Sequence, residues 1–274
     1  MTLCTLGDLL LDVIVRLEQP LERGTDASAE TLTGAGGQAA NVAAWAAALG
    51  AEARFLGKRG DDPAGALAAG ELAQRGVTVL GPVVPGRNGV VVSLVGRDGD
   101  RAMASDRGVA PEFEAAELEP AWLDGCSHLH LSGYSLMSAP IETAALRAAE
   151  LVRERGGQLS ADLASASVIR AFGAERLRAR LAMLGPELVF ANEQELRELG
   201  GPSGGAATTW VVKRGVAGCS VLEAGRKTEY PALPAEVLDT TGAGDAFAAG
   251  YLVGGIELAL QSAARCVAAL GAMP

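Results

Sequence analysis

Short apolar runs alternate with Ala-rich or amphipathic stretches along nearly the whole chain, and this alternation restricts the fold more than any other feature. Leu3–Leu11 reads as one buried strand, and Ala39–Leu49 and Ala64–Arg75 have helical composition. Val79–Val84 and Leu129–Leu131 read as strands, and Ile141–Arg155 as an amphipathic helix stopped by Gly156-Gly157. Leu159–Leu163, Leu188–Ala191 and Trp210–Lys213 are further apolar strands separated by helical stretches. Strands that are apolar throughout must be covered on both faces. The pattern therefore predicts an α/β fold, a mostly parallel central sheet with helices on both sides. A length of 274 residues suits one such domain with an insertion, and the absence of a repeat period argues against a solenoid.

Two stretches break the rhythm. Val13–Pro20 mixes apolar and charged residues, and Gly89–Ser105 reads as a hairpin around Gly96-Arg97-Asp98-Gly99-Asp100, with Asp98-Gly99 suited to a tight turn. Two β segments outside the alternation predict a small projecting sheet: a lid, a dimer surface or both. The plain alternative is two solvated hairpins.

Composition removes several function classes. The 23 Lys and Arg against 33 Asp and Glu give a net charge of -10, which disfavours nucleic acid and anionic membrane as partners. Cys4, Cys126, Cys219 and Cys266 are scattered and read as reduced thiols of a cytoplasmic protein. Met1-Thr2-Leu3-Cys4 lacks the basic start of an export signal, and the apolar run Ala39–Gly50 is too short to span a bilayer. His128 and His130 share one face of a strand, but two ligands do not make a metal site, and they read as a buried pair. Gly57-Lys58 is followed by Arg59, so there is no phosphate-binding Gly-Lys-Ser/Thr loop. Gly133-Tyr134-Ser135-Leu136 runs on to Met137, so there is no nucleophile elbow.

The most specific stretch is Asp239-Thr240-Thr241-Gly242-Ala243-Gly244-Asp245-Ala246-Phe247, which runs into the apolar helical segment Ala248–Val253. A Gly-Ala-Gly turn at a helix start lets several backbone N–H groups converge on one anion, and the helix dipole adds partial positive charge. A carboxylate in that turn would repel a passive anion. It has a use if Asp245 takes a proton from a hydroxyl while the Gly242, Ala243 and Gly244 amides stabilise a transferring phosphoryl group. The competing reading is an Asp merely stabilised by the dipole.

Other stretches converge on similar chemistry. Gly34-Ala35-Gly36-Gly37-Gln38-Ala39-Ala40-Asn41 opens a helix; its glycines let backbone approach a ligand, and Asn41 offers a donor and an acceptor to a polyol. The same stretch fits a dinucleotide fingerprint, but residues Arg16 to Thr33 separate it from the first strand. Asn192 and Glu195, three apart at a helix start, could face a hydrated magnesium ion, form a capping box, or do both. Val211-Val212-Lys213-Arg214-Gly215-Val216-Ala217-Gly218 ends a strand with cationic and glycine residues that suit a nucleotide phosphate.

Taken in order, these residues resemble the ribokinase-like, or PfkB, carbohydrate kinase family. Asp239–Phe247 is similar to its C-terminal motif and Gly36–Gly50 to its N-terminal one. Gly57-Lys58-Arg59-Gly60-Asp61-Asp62-Pro63-Ala64-Gly65 resembles its Gly-x-x-Gly-x-Asp-x-x-Gly stretch, and Asn192–Glu195 its Asn-x-x-Glu magnesium motif. The resemblance implies a ribokinase-like fold with a small β-sheet lid, and ATP-dependent phosphorylation of a hydroxyl on a sugar or nucleoside. The main domain would then comprise residues 1–11, 36–85 and 109–274, and the lid residues 12–35 and 86–108.

On that resemblance Asp245 is the base, and Gly242, Ala243 and Gly244 form the anion hole. Asp12, Gly36, Gly37, Gln38 and Asn41 bind the acceptor. Asn192, Lys213, Gly215 and Gly218 serve the nucleotide, Asn192 and Glu195 magnesium through water, and Asp239 and Thr241 a potassium ion. Many members pair two subunits through the lid, so a homodimer is implied. The departures are Lys213 where many members carry Thr, Gln38 where ribokinases often carry Lys, Ser132 near an acidic substrate residue of ribokinases, and an abbreviated C-terminal loop. Rival readings are a nucleoside kinase, a non-catalytic sugar- or nucleotide-binding protein of the same fold and, least supported, a dinucleotide-dependent dehydrogenase. Arg107 could meet an acidic or phosphorylated acceptor, or be a solvated arginine.

Overall fold

A computed structural model of the protein describes residues 1–96, 101–203 and 208–274. The first strand is β1 (Thr2–Leu6); the chain then leaves the main sheet and forms β2 (Leu10–Leu17) and β3 (Ala29–Gly36) of a smaller one. The single strand expected over Leu3–Leu11 is thus two strands in two sheets. Hydropathy hid the break because Leu9 and Leu10 on its far side stay buried. The departure point is Gly7, where an added β-carbon would lie 2.7 Å from the Ala39 side chain.

Helix α1 (Gln38–Ala48) follows, then β4 (Glu52–Leu56), β5 (Arg59–Gly60), α2 (Pro63–Gln74), β6 (Thr78–Leu80) and β7 (Val83–Val84). The strand expected over Val79–Val84 is therefore also two: β6 joins the main sheet and β7 pairs with β5. Two long strands, β8 (Asn88–Val95) and β9 (Arg101–Gly108), return to the small sheet, whose order is β3-β2-β8-β9. They pair antiparallel as the expected hairpin. Its Asp98-Gly99 turn lies outside the described residues.

The regular alternation resumes with β10 (His128–Ser132), α3 (Gly133–Leu136), α4 (Ile141–Glu154) and β11 (Gln158–Asp162). It continues through α5 (Ala166–Phe172), α6 (Ala174–Leu184), β12 (Leu188–Asn192), α7 (Glu193–Leu199) and β13 (Thr209–Lys213). An antiparallel edge, β14 (Cys219–Glu223) and β15 (Arg226–Tyr230), precedes α8 (Ala243–Val267), whose path kinks at Gly254 and Gly255. The main sheet runs β15-β14-β13-β12-β11-β10-β1-β4-β6, parallel from β13 to β6.

Each face of this sheet carries its own apolar cluster. On one, Cys4, Leu6, Leu129 and Leu159 pack with α4; on the other, Leu3, Phe55, Phe190 and Val211 pack with α1 and α8. Alternate residues of one strand thus serve opposite clusters, as period-two geometry requires. Helix α1 is buried over Ala39–Ala46, and its small alanines let it lie between sheet and α8. The longest apolar helix is α8 rather than the Ala39–Gly50 run; it is long and apolar enough to cross a membrane by length and composition, but here it packs on α1.

The Gly57–Gly65 motif joins the two sheets. Asp62 caps α2 by accepting from Gly65 N at 2.8 Å and accepts from Asn88 N of β8 at 3.0 Å. Lys58 is buried and paired with Glu117 at 2.7 Å. The histidine pair is indeed buried: His128 Nε2 and His130 Nδ1 both meet Ser160 Oγ at 2.8 Å. Burial holds both imidazoles neutral, pulled down to about 4 for His128 and about 3 for His130. All four cysteines are free and buried.

Candidate active site

Open parallel sheets place ligands beyond the carboxyl ends of their strands. Here those ends bring together Ser132 of β10, Asp162 of β11, Asn192 of β12 and Lys213 of β13. Against them sits the start of α8, where Gly242 takes the left-handed conformation (φ 73) and the following residues begin the helix. A β-carbon on Gly242 would lie 2.6 Å from the Ala272 main chain, so position 242 admits no side chain.

Asp245 follows the turn, and Asn41 Nδ2 of α1 donates to its Oδ2 at 2.7 Å. The two glycine motifs read separately in the sequence therefore meet at one carboxylate. Burial pushes the Asp245 carboxyl up from 3.8 to about 7; the Asn41 hydrogen bond opposes this, the Asp162 charge adds to it, and Lys213 opposes it. The other amide atom, Asn41 Oδ1, is buried with no hydrogen-bond partner among the described residues. A buried acceptor atom left open beside a basic carboxylate suits a ligand hydroxyl.

The acceptor side continues through Asp12 on β2. A β-carbon on Gly36 would fall 2.2 Å from the Asp12 carboxyl carbon, so that carboxylate lies directly on the glycine backbone. Its charge reaches Asp245 and contributes to the upward shift there. Gly37 has φ 103 and would meet Asp8 O at 2.3 Å with a β-carbon, so only glycine fits this entry into α1. Gln38 Oε1 accepts from Ser132 Oγ at 2.6 Å, which brings both residues that depart from the ribokinase pattern to one place. The Gly34–Asn41 stretch leaves β3, which pairs antiparallel with β2 in the small sheet, rather than the first parallel strand of the main sheet, so it is not a dinucleotide turn.

Across the Gly242–Gly244 turn lies a cleft of about 590 Å³. Lys213, Gly215 and Gly218 line it, with Thr240 and Gly244, while Asn192 does not. Its apolar wall comes from Leu233, Pro234, Ala235, Val237, Leu260 and Ala263, none of which the sequence reading assigned. Leu233 and Val237 are exposed, at 43% and 56%, and the loop 231–237 that carries them has no regular structure, so no periodicity marked it.

Asn192 and Glu195 form the reciprocal capping box. Asn192 Oδ1 accepts from Gln194 N and Glu195 N at 2.8 Å, and Glu195 Oε2 accepts from Asn192 N at 2.8 Å. Asn192 Nδ2 also donates to Glu195 Oε1 at 2.6 Å. Each carboxylate oxygen thus makes one of these bonds and keeps a lone pair. That donor set fits an ion that retains its own waters, and not one stripped to protein ligands. Among the described residues no cluster of three His, Cys, Asp or Glu could hold a metal by itself. Asp239 Oδ1 accepts from Thr241 N and Oγ1 at 2.8 and 2.6 Å, and Asp239 Oδ2 from Gly271 N at 3.0 Å, which ties the turn to the C-terminal loop.

Two further residues take on roles that the sequence did not show. Asp162 is 1% exposed and accepts from Lys213 Nζ at 2.5 Å; the apolar reading of Leu159–Leu163 ran through it, although an acidic residue at a strand's carboxyl end was the available signal. Arg107 is not a solvated arginine. It grips Asp8 through Nε and Nη2 at 2.6 and 3.0 Å and lies over the Tyr134 ring at 5.7 Å, tying the small sheet to the main one.

A family model described as pfkB family carbohydrate kinase matches residues 2–273. The chain belongs to this family. An ATP-dependent ribose-1-phosphate kinase from Halopiger xanaduensis is 31% identical, over 95% of this chain and 88% of that one. A fructokinase from Klebsiella pneumoniae is also 31% identical, over 91% and 82%. Among solved structures, adenosine kinase from Sinorhizobium meliloti superposes with a TM-score of 0.88 at 22% identity, covering 99% of this chain and 95% of that one. A putative ribokinase II from E. coli in complex with ATP and Mg²⁺ gives 0.80 at 24% identity, covering 99% and 94%. These structures place the protein in the ribokinase-like α/β fold, with its large, mostly parallel sheet and separate small sheet.

Proposed function

We propose that the protein transfers the γ-phosphoryl group of ATP to a hydroxyl of a sugar, with Asp245 as the base. One observation carries this reading: the Asp245 carboxylate, the open Asn41 Oδ1 and the Gly242–Gly244 turn lie together, between the Asp12 carboxylate and the 590 Å³ cleft. The cleft holds the nucleotide, its apolar wall taking the base, Gly215 and Gly218 the leading phosphates, and Lys213, beside Gly244, the transferring one. Asp12, Gly36, Gly37, Gln38 and Asn41 hold the acceptor so that one hydroxyl faces Asp245. The base takes that proton while the turn amides bind the transferring group, a matter of positioning and electrostatics.

Asn192 and Glu195 would hold magnesium through its waters, and the ion, arriving with the nucleotide, supplies positive charge to the phosphates. Asp239 and Thr241 would serve a potassium ion, a reading supported only by their place at the turn. A free sugar is favoured over a nucleoside because the Tyr134 ring, whose hydroxyl feels the Asp245 charge, already carries Arg107 over it and so offers less to a stacking base. A panel of sugars, sugar phosphates and nucleosides, each with ATP and magnesium, tests the proposal by acceptor-dependent ADP release. Release with nucleosides alone would replace the sugar reading, and release with none would end the kinase reading.

The pH dependence follows from Asp245, which acts ionised. The kcat/KM for acceptor is expected to rise with pH up to about 7 and then level off. Asn41→Ala removes the hydrogen bond that holds this carboxyl down and should move the limb to higher pH. A limb that stays near 4 in the unaltered protein would mean that the titrating group is not Asp245.

The small sheet is proposed to pair two copies of the chain. Leu11, Val13 and Val15 of β2 stand beside Val90, Val92 and Leu94 of β8 on one face, all of them partly exposed. A continuous apolar face of this kind associates, and a second copy offers the same surface. Light scattering at micromolar concentration should give twice the chain mass, and Val92→Lys should halve it. A single-chain mass with full activity would rule out the dimer.

A further inference from the structure

The ion pair between Asp162 and Lys213 takes no proton from the acceptor itself, yet it lies at the centre of the site. It reaches from the end of β11 to the end of β13, across β12 and over Asn192. Asp162 is 1% exposed, and its Oδ1 also accepts from Ala164 N at 3.3 Å, where the backbone takes φ 73, a conformation that residues with a β-carbon rarely adopt. Lys213 Nζ, at the other end, would stand 3.1 Å from a β-carbon on Gly244, beside the turn that receives the phosphoryl group.

Three carboxylates compete for this ammonium. Burial alone would pull the Lys213 ammonium down, but Asp162, Glu195 and Asp245 outweigh it and keep the group charged. A lysine is a compact charge on a flexible stem, so its partner decides where the charge sits. Paired with Asp245, it would neutralise the base that has to accept a proton. Paired with Asp162, it stays beside Gly244 and leaves Asp245 to Asn41. Buried ion pairs add little net stability over apolar replacements, so stability does not account for this one.

We propose that Asp162 is a positioning residue for phosphoryl transfer, holding Lys213 Nζ beside the Gly242–Gly244 turn and away from Asp245. The proposal rests on the kinase reading above. Its hold on the transferring phosphoryl group acts through Lys213; its charge also bears on Asp245, a separate effect that an equilibrium binding test does not read.

The test compares the affinity of the magnesium-loaded protein for ADP alone with that for ADP plus aluminium fluoride, which mimics the transferring group. Calorimetry is run on the unaltered protein, Asp162→Asn, Lys213→Met and the double variant. Fluoride should tighten ADP binding to the unaltered protein. Asp162→Asn should lose at least tenfold of that tightening while ADP alone binds within threefold of the original, and the double variant should match Lys213→Met within threefold. The proposal is overturned by tightening kept within threefold in Asp162→Asn, by an equal loss of plain ADP affinity, or by a double variant tenfold worse than Lys213→Met. Should Asp162→Asn fail to fold, the double variant, which removes both charges together, still decides against Lys213→Met. Absence of any fluoride effect on the unaltered protein defeats the kinase reading and this proposal with it; an effect indifferent to Asp162 defeats this proposal alone.

Discussion

Asp245→Asn is expected to lower turnover by about 10²- to 10⁴-fold, the usual effect of removing a general base. The substitution keeps the shape, the Gly242–Gly244 turn and an oxygen able to accept from Asn41 Nδ2, so ATP affinity should hold or tighten as a negative charge leaves the phosphate site. Stability should move the opposite way to activity. The carboxyl ionises near its ordinary 3.8 in the unfolded chain and near 7 in the folded one, so its ionisation opposes folding. The penalty is absent below about pH 4, grows between 4 and 7, and is complete above 7. The variant should therefore melt a few degrees higher than the unaltered protein at pH 8 and at the same temperature at pH 4. If Asp245 only stabilised the helix start, the variant would instead keep its turnover and melt lower. Turnover within a few-fold of the original, with an accepted sugar, would remove Asp245 from the mechanism.

Asp12→Ala is expected to raise KM for the acceptor about 10- to 100-fold, the loss of one or two charge-assisted hydrogen bonds, with KM for ATP nearly unchanged. Gly36→Ala offers an independent route to the same defect. Its methyl group would fall 2.2 Å from the Asp12 carboxyl carbon and must push that carboxylate aside without deleting it. Both variants should share the pattern. Equal rises for acceptor and ATP would make Asp12 a structural residue of β2.

Much of this site was legible because its parts are local. The Gly-Ala-Gly turn before Asp245, the Gly36-Gly37 entry into α1 and the Asn192–Glu195 capping box depend on residues within a few positions of one another. Conformational demands of that range are written in residue type: a φ of 73 or 103 calls for glycine, and a helix start calls for a capping side chain. Asp162 and Arg107 were not legible in this way. Asp162 finds Lys213 51 residues later, and Arg107 finds Asp8 99 residues earlier.

By itself, the sequence determined the α/β alternation, the small second sheet, the local turns and the residue types able to handle a phosphoryl group. Each follows from hydrophobic periodicity and backbone sterics, which act over a few residues. Only the tertiary structure decided that Leu3–Leu11 changes sheets at Gly7, that Asn41 meets Asp245 across 204 residues, and that Lys213 rests on Asp162. Those outcomes depend on which strands lie side by side in the sheet. Strand order is fixed by burial of the two apolar clusters as a whole, which no short stretch of sequence records.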